Sequence, residues 1–411
     1  MWSYADFILI PHQQAESAAR GIPRGNLSDL YPRWFGSREL LLHHRDPYSA
    51  EITREIQSGY YSRTLDPNRR NDPVDQQGFA YPVYVAFLLA PTVTTPFPVV
   101  RVAFGWFLCL VTILTIPLWF RAMGWRVSHV TTVTWTIATL GSFAAVQGIK
   151  LQQLTLLVCG LLAGAMAALV SGHFLTAGAL LALATIKPQL AGILIAWLAL
   201  WSISDWRARK RFAYAFVATL LALFAGGELL LQGWISRFRA AASEYMRYTG
   251  GGKSVLDVVT GPLGGLLSFA ILALVAVFCW KTRRAGATED AFASSLALVM
   301  AATLVVIPTY APYNQLLLLP ALMLIIRDGL RVWRRGGVSR LFCLIAALTL
   351  AWSWIAAALL SGLLVFVSRT RVQGAWALPL LSNFYVPLMV LAMTALCTWP
   401  YKRVPKATES E

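Results

Sequence analysis

The chain has 411 residues, of which 57% are apolar and only 13% charged, with a mean hydropathy of +0.59. A soluble domain carries about 45–50% apolar and about 25% charged residues, so this chain has too few polar groups to cover a wetted surface, and most cytosolic enzymes are excluded. The formal charge of +16 would suggest nucleic acid in a soluble protein, but here the excess sits in short clusters between apolar runs, the pattern of cytoplasmic loops in a membrane protein, and no nucleic-acid partner is expected.

Residues 1–82 hold nine basic and ten acidic residues and no segment long enough to span a bilayer. The opening MWSYADFILI lacks the basic flank and cleavage site of a signal peptide. The stretch 29–62 is expected to form short surface helices capping a cavity. Within it, Ile52, Ile56 and Tyr60 recur every four residues, a stripe suited to the membrane surface. Apolar runs then follow to residue 399. A crossing takes roughly 20 residues, which gives about eleven crossings, with 83–93 interfacial or re-entrant.

The fold class expected is an all-α polytopic membrane protein. It divides into an outer segment (1–82), a helical bundle (83–399) and a cytoplasmic tail (400–411). Placing residues 1–82 outside leaves seventeen basic residues in inner loops against eight in short outer ones, as the positive-inside rule requires. Residues 1–82 and the loop 232–261 then share one outer face, which in a bacterium is periplasmic or extracellular. An outer segment of that length with no preceding helix has no evident way across, so a first helix upstream of Met1 is expected.

The five cysteines lie in or beside apolar runs and are odd in number, so they read as small buried hydrophobes. The five histidines show no metal-binding spacing, and neither a metal nor a cofactor is expected. Thr249-Gly250-Gly251-Gly252-Lys253-Ser254 imitates a phosphate loop, but Arg247 stands where the motif needs its first glycine. It reads as a loop able to close over a substrate. There is no DxD or GxGxxG motif, so a nucleotide-activated substrate is not supported.

Five polar stretches interrupt this pattern. In Ser28-Asp29-Leu30-Tyr31-Pro32-Arg33-Trp34, Asp29 has the chemistry of a general base for an acceptor hydroxyl; alternatively it caps a short helix, and pairing with Arg33 would weaken it as a base. Arg45-Asp46-Pro47-Tyr48 follows, where Asp46 either starts a turn or, with Tyr48, contacts substrate. The run 173–204 is too long for one straight crossing and is broken at Ile186-Lys187-Pro188-Gln189. A lysine near mid-membrane costs about 2.5–3.5 kcal/mol, so Lys187 either faces a cavity and holds a phosphate, with Gln189 beside it, or snorkels to the interface. The turn 147–153 offers amides, Gln152 among them, and Thr309-Tyr310-Ala311-Pro312-Tyr313-Asn314-Gln315 offers Tyr313 and Asn314 either to sugar hydroxyls or as an interfacial anchor.

The order of these features resembles glycosyltransferase family 87, the bacterial polyprenol-phosphate-mannose-type transferases of the GT-C fold: DLYPRW at 29–34, RDPY at 45–48, FAYPVYVAFLLAP at 79–91, a Gln-bearing turn at 147–153 and TIKPQL at 185–190. The resemblance implies a GT-C-like bundle and an inverting hexosyltransferase. Its donor would be a lipid-linked phosphosugar and its acceptor a lipid or glycan hydroxyl at the outer face. Asp29 maps to the catalytic aspartate, and Lys187, with Arg33 or Arg247, would hold the donor phosphate. Two features depart from the family pattern: the chain has no helix ahead of its acidic segment, and YAPYNQ stands where a histidine is common. A transporter or flippase of lipid-linked sugars is the alternative, and would use the same lysine without a base.

Overall fold

The computed structural model describes residues 1–398 except 27, 67, 249–251 and 309. The tail 400–411 with Lys402, Arg403 and Lys406, the glycines 250 and 251, and Thr309 lie outside the described residues. Every regular element among the described residues is helical.

Residues 2–20 form one helical stretch containing a π turn, Ala5–Leu9. Tyr4 and Ile8 are buried with Ala357, Leu360 and Val372, and the Tyr4 hydroxyl donates to the Trp376 carbonyl. This stretch therefore lies along the C-terminal part of the bundle. Helices Leu30–His43 and Ala50–Tyr61 follow. The second is started by Ser49, whose hydroxyl accepts from the Ile52 N–H, satisfying one of the orphan donors of a helix start. Arg45 ties the two helices together through Glu39, Glu51 and Glu55.

The stripe Ile52, Ile56 and Tyr60 is buried, but in protein rather than lipid. Ile52 and Ile56 belong to the same core as Phe79, Tyr81 and Val83. Periodicity marks an apolar face without saying what covers it; helix Ala50–Tyr61 packs against helix Leu30–His43, and the Tyr60 ring lies over Gly25. The segment 79–93 holds the short helix Val85–Leu89, itself buried at Val85, Ala86 and Leu89.

Five helices are long and apolar enough to cross a bilayer: Phe97–Ala122, Trp206–Leu230, Val255–Thr282, Gly337–Leu363 and Arg369–Thr398. A sixth crossing arises if Phe143–Lys150 and Leu154–Val170, bent by 120° at their junction, form one broken span. Shorter apolar helices, Phe174–Ile186, Pro188–Ser204 and Asp290–Val306, fill the space between. The count by length is thus below eleven, because several apolar runs are cut by turns, prolines or 3-10 segments. Large apolar side chains point outward along the long helices, among them Trp106 (74% exposed), Phe269 (71%) and Leu229 (90%). Water would not sustain so much exposed apolar surface; the protein is a polytopic membrane protein.

The bundle has two distinct ends. At one, Arg209 donates to the carbonyls of Trp201, Arg283, Arg284 and Ala285, and Arg327 joins the Met123 carbonyl to Asp290 and Asp328. At the other, residues 28–34, 79–84, 151–155 and 185–189 converge. The turn Ser171–His173 makes Phe174–Ile186 antiparallel to Leu154–Val170, so residue 187 returns to the level of Thr155. Lys187 leaves helical geometry (φ −124°, ψ 79°), and Pro188 opens the next helix at its first position, where its missing N–H costs nothing. The expected outer loop 232–261 is largely helical: Trp234–Tyr248 and Val255–Thr260 occupy it. Ser254 and Asp257 form a capping box at the start of the second, so the serine of the phosphate-loop imitation is committed to a helix cap.

Gly178 lets two helices touch backbone to backbone. A Cβ there would lie 2.5 Å from the Phe212 carbonyl and 2.7 Å from the Phe216 nitrogen, atoms that cannot rotate away. Gly178→Ala is expected to destabilise by about 1–3 kcal/mol, the cost of overpacking. Gly192→Ala, at a helical position with open space around it, should be neutral or gain up to about 1 kcal/mol. Thermal unfolding of the two variants in the same detergent checks the pair.

Candidate functional site

The converging end of the bundle encloses a cavity of about 260 Å³. Six of the residues singled out from sequence line it: Asp29, Arg33, Lys187, Gln189, Tyr313 and Asn314. They come from three widely separated parts of the chain, so only the tertiary fold assembles them.

Asp29 stands at the N-cap position of Leu30–His43, but its side chain makes no capping hydrogen bond, and its backbone is α-helical (φ −69°, ψ −9°). Its N–H donates to the Leu151 carbonyl at 2.8 Å, and its carboxylate Oδ2 accepts from Gln153 Nε2. Arg33, one turn on, donates to the Asp29 backbone carbonyl rather than to the carboxylate, and its guanidinium lies 4.7 Å from the centre of the Tyr81 ring. Among the described residues the other Asp29 carboxylate oxygen has no hydrogen-bond partner, and Arg33 is engaged at the backbone carbonyl.

Lys187 is only 7% exposed. Its ammonium donates to Gln153 Oε1 and Thr155 Oγ1, both at 2.8 Å, and faces the rings of Tyr313 at 5.3 Å and Tyr81 at 5.8 Å. An ammonium has three donors, so one remains for the cavity. Thr155 in turn pairs with Asn314 Oδ1 at 3.1 Å. Gln153 is therefore the hinge of the site, with its NH2 on Asp29 and its carbonyl oxygen on Lys187. Burial holds the Tyr81 phenol up at about 12, so it stays neutral, and its oxygen can only accept from Arg33, whose guanidinium has no acceptor.

The remaining sequence candidates fall elsewhere. Gln152 does not reach the cavity. It adopts a left-handed backbone (φ 49°), and its amide folds back onto the Ile149 and Lys150 carbonyls; the turn hands the cavity position to Gln153. Arg247 is exposed on the outside of helix Trp234–Tyr248, whose Tyr245 and Tyr248 face inward instead. Asp46 and Tyr48 border a neighbouring chamber. Asp46 pairs with Arg237, and the Tyr48 hydroxyl donates to the Tyr81 carbonyl at 2.6 Å, bracing the Tyr81 backbone.

Sequence reading also missed Asp75 and Gln77, which line the cavity. Asp75 accepts from the Gln77 N–H at 3.0 Å and from Gln77 Nε2 at 2.8 Å, and burial pushes its carboxyl above the usual carboxylate range. The available signal was an acid followed by two glutamines and a glycine ahead of FAYP.

Residues 79–308, more than half of the chain, match the sequence profile of glycosyltransferase family 87. No curated protein and no solved structure matches the chain significantly. The matched stretch contains Tyr81, Gln153, Lys187 and Tyr245; Asp29 and Arg33 precede it, and Tyr313 and Asn314 follow. With a match of that extent on a polytopic helical bundle, the chain belongs to glycosyltransferase family 87 and is a membrane-bound glycosyltransferase of the GT-C type.

Proposed function

We propose that the protein moves a hexose, mannose-like, from a polyprenyl-phosphate-sugar to an acceptor hydroxyl at the outer face of the membrane, with inversion. The observation that carries this reading is the shared hinge: one glutamine holds a carboxylate and a buried ammonium on a single cavity. The lipid tail of such a donor stays in the bilayer, so its phosphate meets the protein at the membrane boundary. The third N–H of Lys187 is the natural partner for that phosphate, and Arg33 adds positive potential.

The acceptor oxygen attacks the anomeric carbon from the side opposite the phosphate. Asp29 takes the hydroxyl proton on its unpaired oxygen as the new C–O bond forms. The bond from the anomeric carbon to the phosphate oxygen breaks, and its electron pair leaves with the polyprenyl phosphate. Charge grows on that phosphate as the bond breaks, so fixed donors aimed at it lower the barrier. Asp75 is less suited as the base, because both its oxygens already accept from Gln77. The topology that goes with this reading counts the short helices as crossings, about eleven in all. Residues 1–82 form the outer catalytic segment and the C-terminus is cytoplasmic.

Asp29→Asn should lower turnover at least about 100-fold, the low end of a positioned base, while the protein stays folded, since Asn keeps the amide contact to Gln153. Lys187→Ala should instead raise the KM for the donor. Radiolabelled transfer in membranes separates the two; a transporter would lose flux with Lys187→Ala and tolerate Asp29→Asn.

Asp75 makes a separate prediction. Its folded carboxyl binds its proton more tightly than the unfolded one, so the folded state holds more protons and stability falls as pH rises through the folded value. Asp75→Asn should flatten thermal stability against pH from about 4, the ordinary Asp value, upward, with a smaller activity loss than Asp29→Asn. A melting series across pH on both variants reads this out.

A further inference from the structure

A second chamber of about 360 Å³ lies beside the cavity, on the other side of helix Trp234–Tyr248. The helix is the partition. Phe238, Ala242 and Tyr245 face the cavity, whereas Arg237, Ala241 and Glu244 face the chamber, as the 3.6-residue period dictates. The segment 75–80 is the second wall and divides its residues by alternation: Asp75 and Gln77 look into the cavity, Gln76 into the chamber. Gly78, Ala80 and Tyr248 border both spaces, so the two adjoin at that point.

The chamber has the chemistry of a saccharide site. Ligand pockets run from about 300 to 1,000 Å³, and this one lies near the lower bound. Glu244 is exposed to it and has no hydrogen-bond or ion-pair partner among the described residues. Gln76 uses its oxygen on Gln57 Nε2, which leaves its amide donors for a ligand. The Thr53 hydroxyl donates to the Ser49 carbonyl and still accepts. Ala240 and Ala241 keep the partition low, while the rings of Tyr48, Phe79 and Tyr248 offer flat apolar faces. An acyl chain here would strip water from Glu244, Gln76 and the Asp46–Arg237 pair without replacing their hydrogen bonds, which is costly. Sugar hydroxyls would replace them.

Resting on the reading of the cavity as the transfer site, we infer that the chamber binds the penultimate sugar of the acceptor: the acceptor is a glycan of at least two units. Its terminal hydroxyl passes Gly78 and Tyr248 to reach Asp29, and its next unit lies against Glu244 and Gln76.

The test is equilibrium binding without donor, on the full chain in nanodiscs, by intrinsic fluorescence. The probes are methyl glycosides of mannose and glucose, each as mono- and disaccharide. At least one disaccharide should bind ten-fold or more tighter than its monosaccharide. Two variants should each cut that ratio at least five-fold. One is Glu244→Gln. The other is Gly78→Leu, whose Cβ would sit 3.9 Å from Thr53 Oγ1, ordinary contact, and whose side chain grows into the chamber. The ratio is taken within one preparation, so partial misfolding cancels. Equal binding of mono- and disaccharides, or a ratio that neither variant moves, overturns the subsite. Adding labelled polyprenyl-phosphate-mannose to the same samples tests the donor reading apart from this. Preserved disaccharide preference with no transfer would reject the donor and leave the subsite standing.

Discussion

A buried ammonium inside a lipid-embedded bundle is the constraint from which the rest of the site follows. Lys187 is almost wholly removed from bulk solvent, so most of its solvation must come from protein. Gln153 and Thr155 supply two acceptors, and the rings of Tyr81 and Tyr313 supply negative π faces. Once Gln153 is oriented by the lysine, its NH2 points at Asp29. The position of the carboxylate is therefore dictated by the cation, although they never touch. Keeping them apart matters chemically: a direct ion pair would neutralise both groups, whereas an amide spacer leaves each with one free valence on the cavity.

The helix break at Lys187-Pro188 is what places that ammonium at the converging end. A continuous helix would have carried residue 187 past its acceptors. The opposite end is handled in the reverse way: Arg209 spends its donors on four backbone carbonyls of the 201 and 283–285 turns, and Arg327 is held among carboxylates. Cations at that end close turns, whereas Lys187 at the other end keeps one donor for the cavity. That asymmetry matches a protein anchored at one face and working at the other.

The features legible in the sequence were those set by local covalent geometry or by extreme polarity contrast. Pro188 forbids a continuous helix and Lys187 is conspicuous among apolar neighbours. Asp29 stands in a dense aromatic and charged stretch. What stayed hidden depended on backbone handedness and helical phase. Gln152 and Gln153 are indistinguishable as letters, and only the positive φ at Gln152 decides which one reaches the cavity. Arg247 drew notice for its charge, but a phase shift of two residues sends it outward and Tyr245 inward. The stripe of Ile52, Ile56 and Tyr60 was visible, yet its partner was not, because packing against helix Leu30–His43 is a tertiary fact. Asp75 was overlooked because its neighbours look like an ordinary polar linker.

The separation in sequence of the paired groups has a consequence for how the protein comes into being. Asp29 is made early, yet the groups that fix it, the Leu151 carbonyl and Gln153, emerge more than a hundred residues later, and Lys187 later still. At a synthesis rate of about 5–20 residues per second, the nascent carboxylate waits on the order of ten seconds for its hinge. During that interval helix Leu30–His43 can pack on Ala50–Tyr61 through Arg45, but the Asp29 carboxylate lacks its amide partner. The cavity that joins Asp29 to Lys187 is therefore complete only once the chain has been made past Tyr313 and Asn314, which also line it.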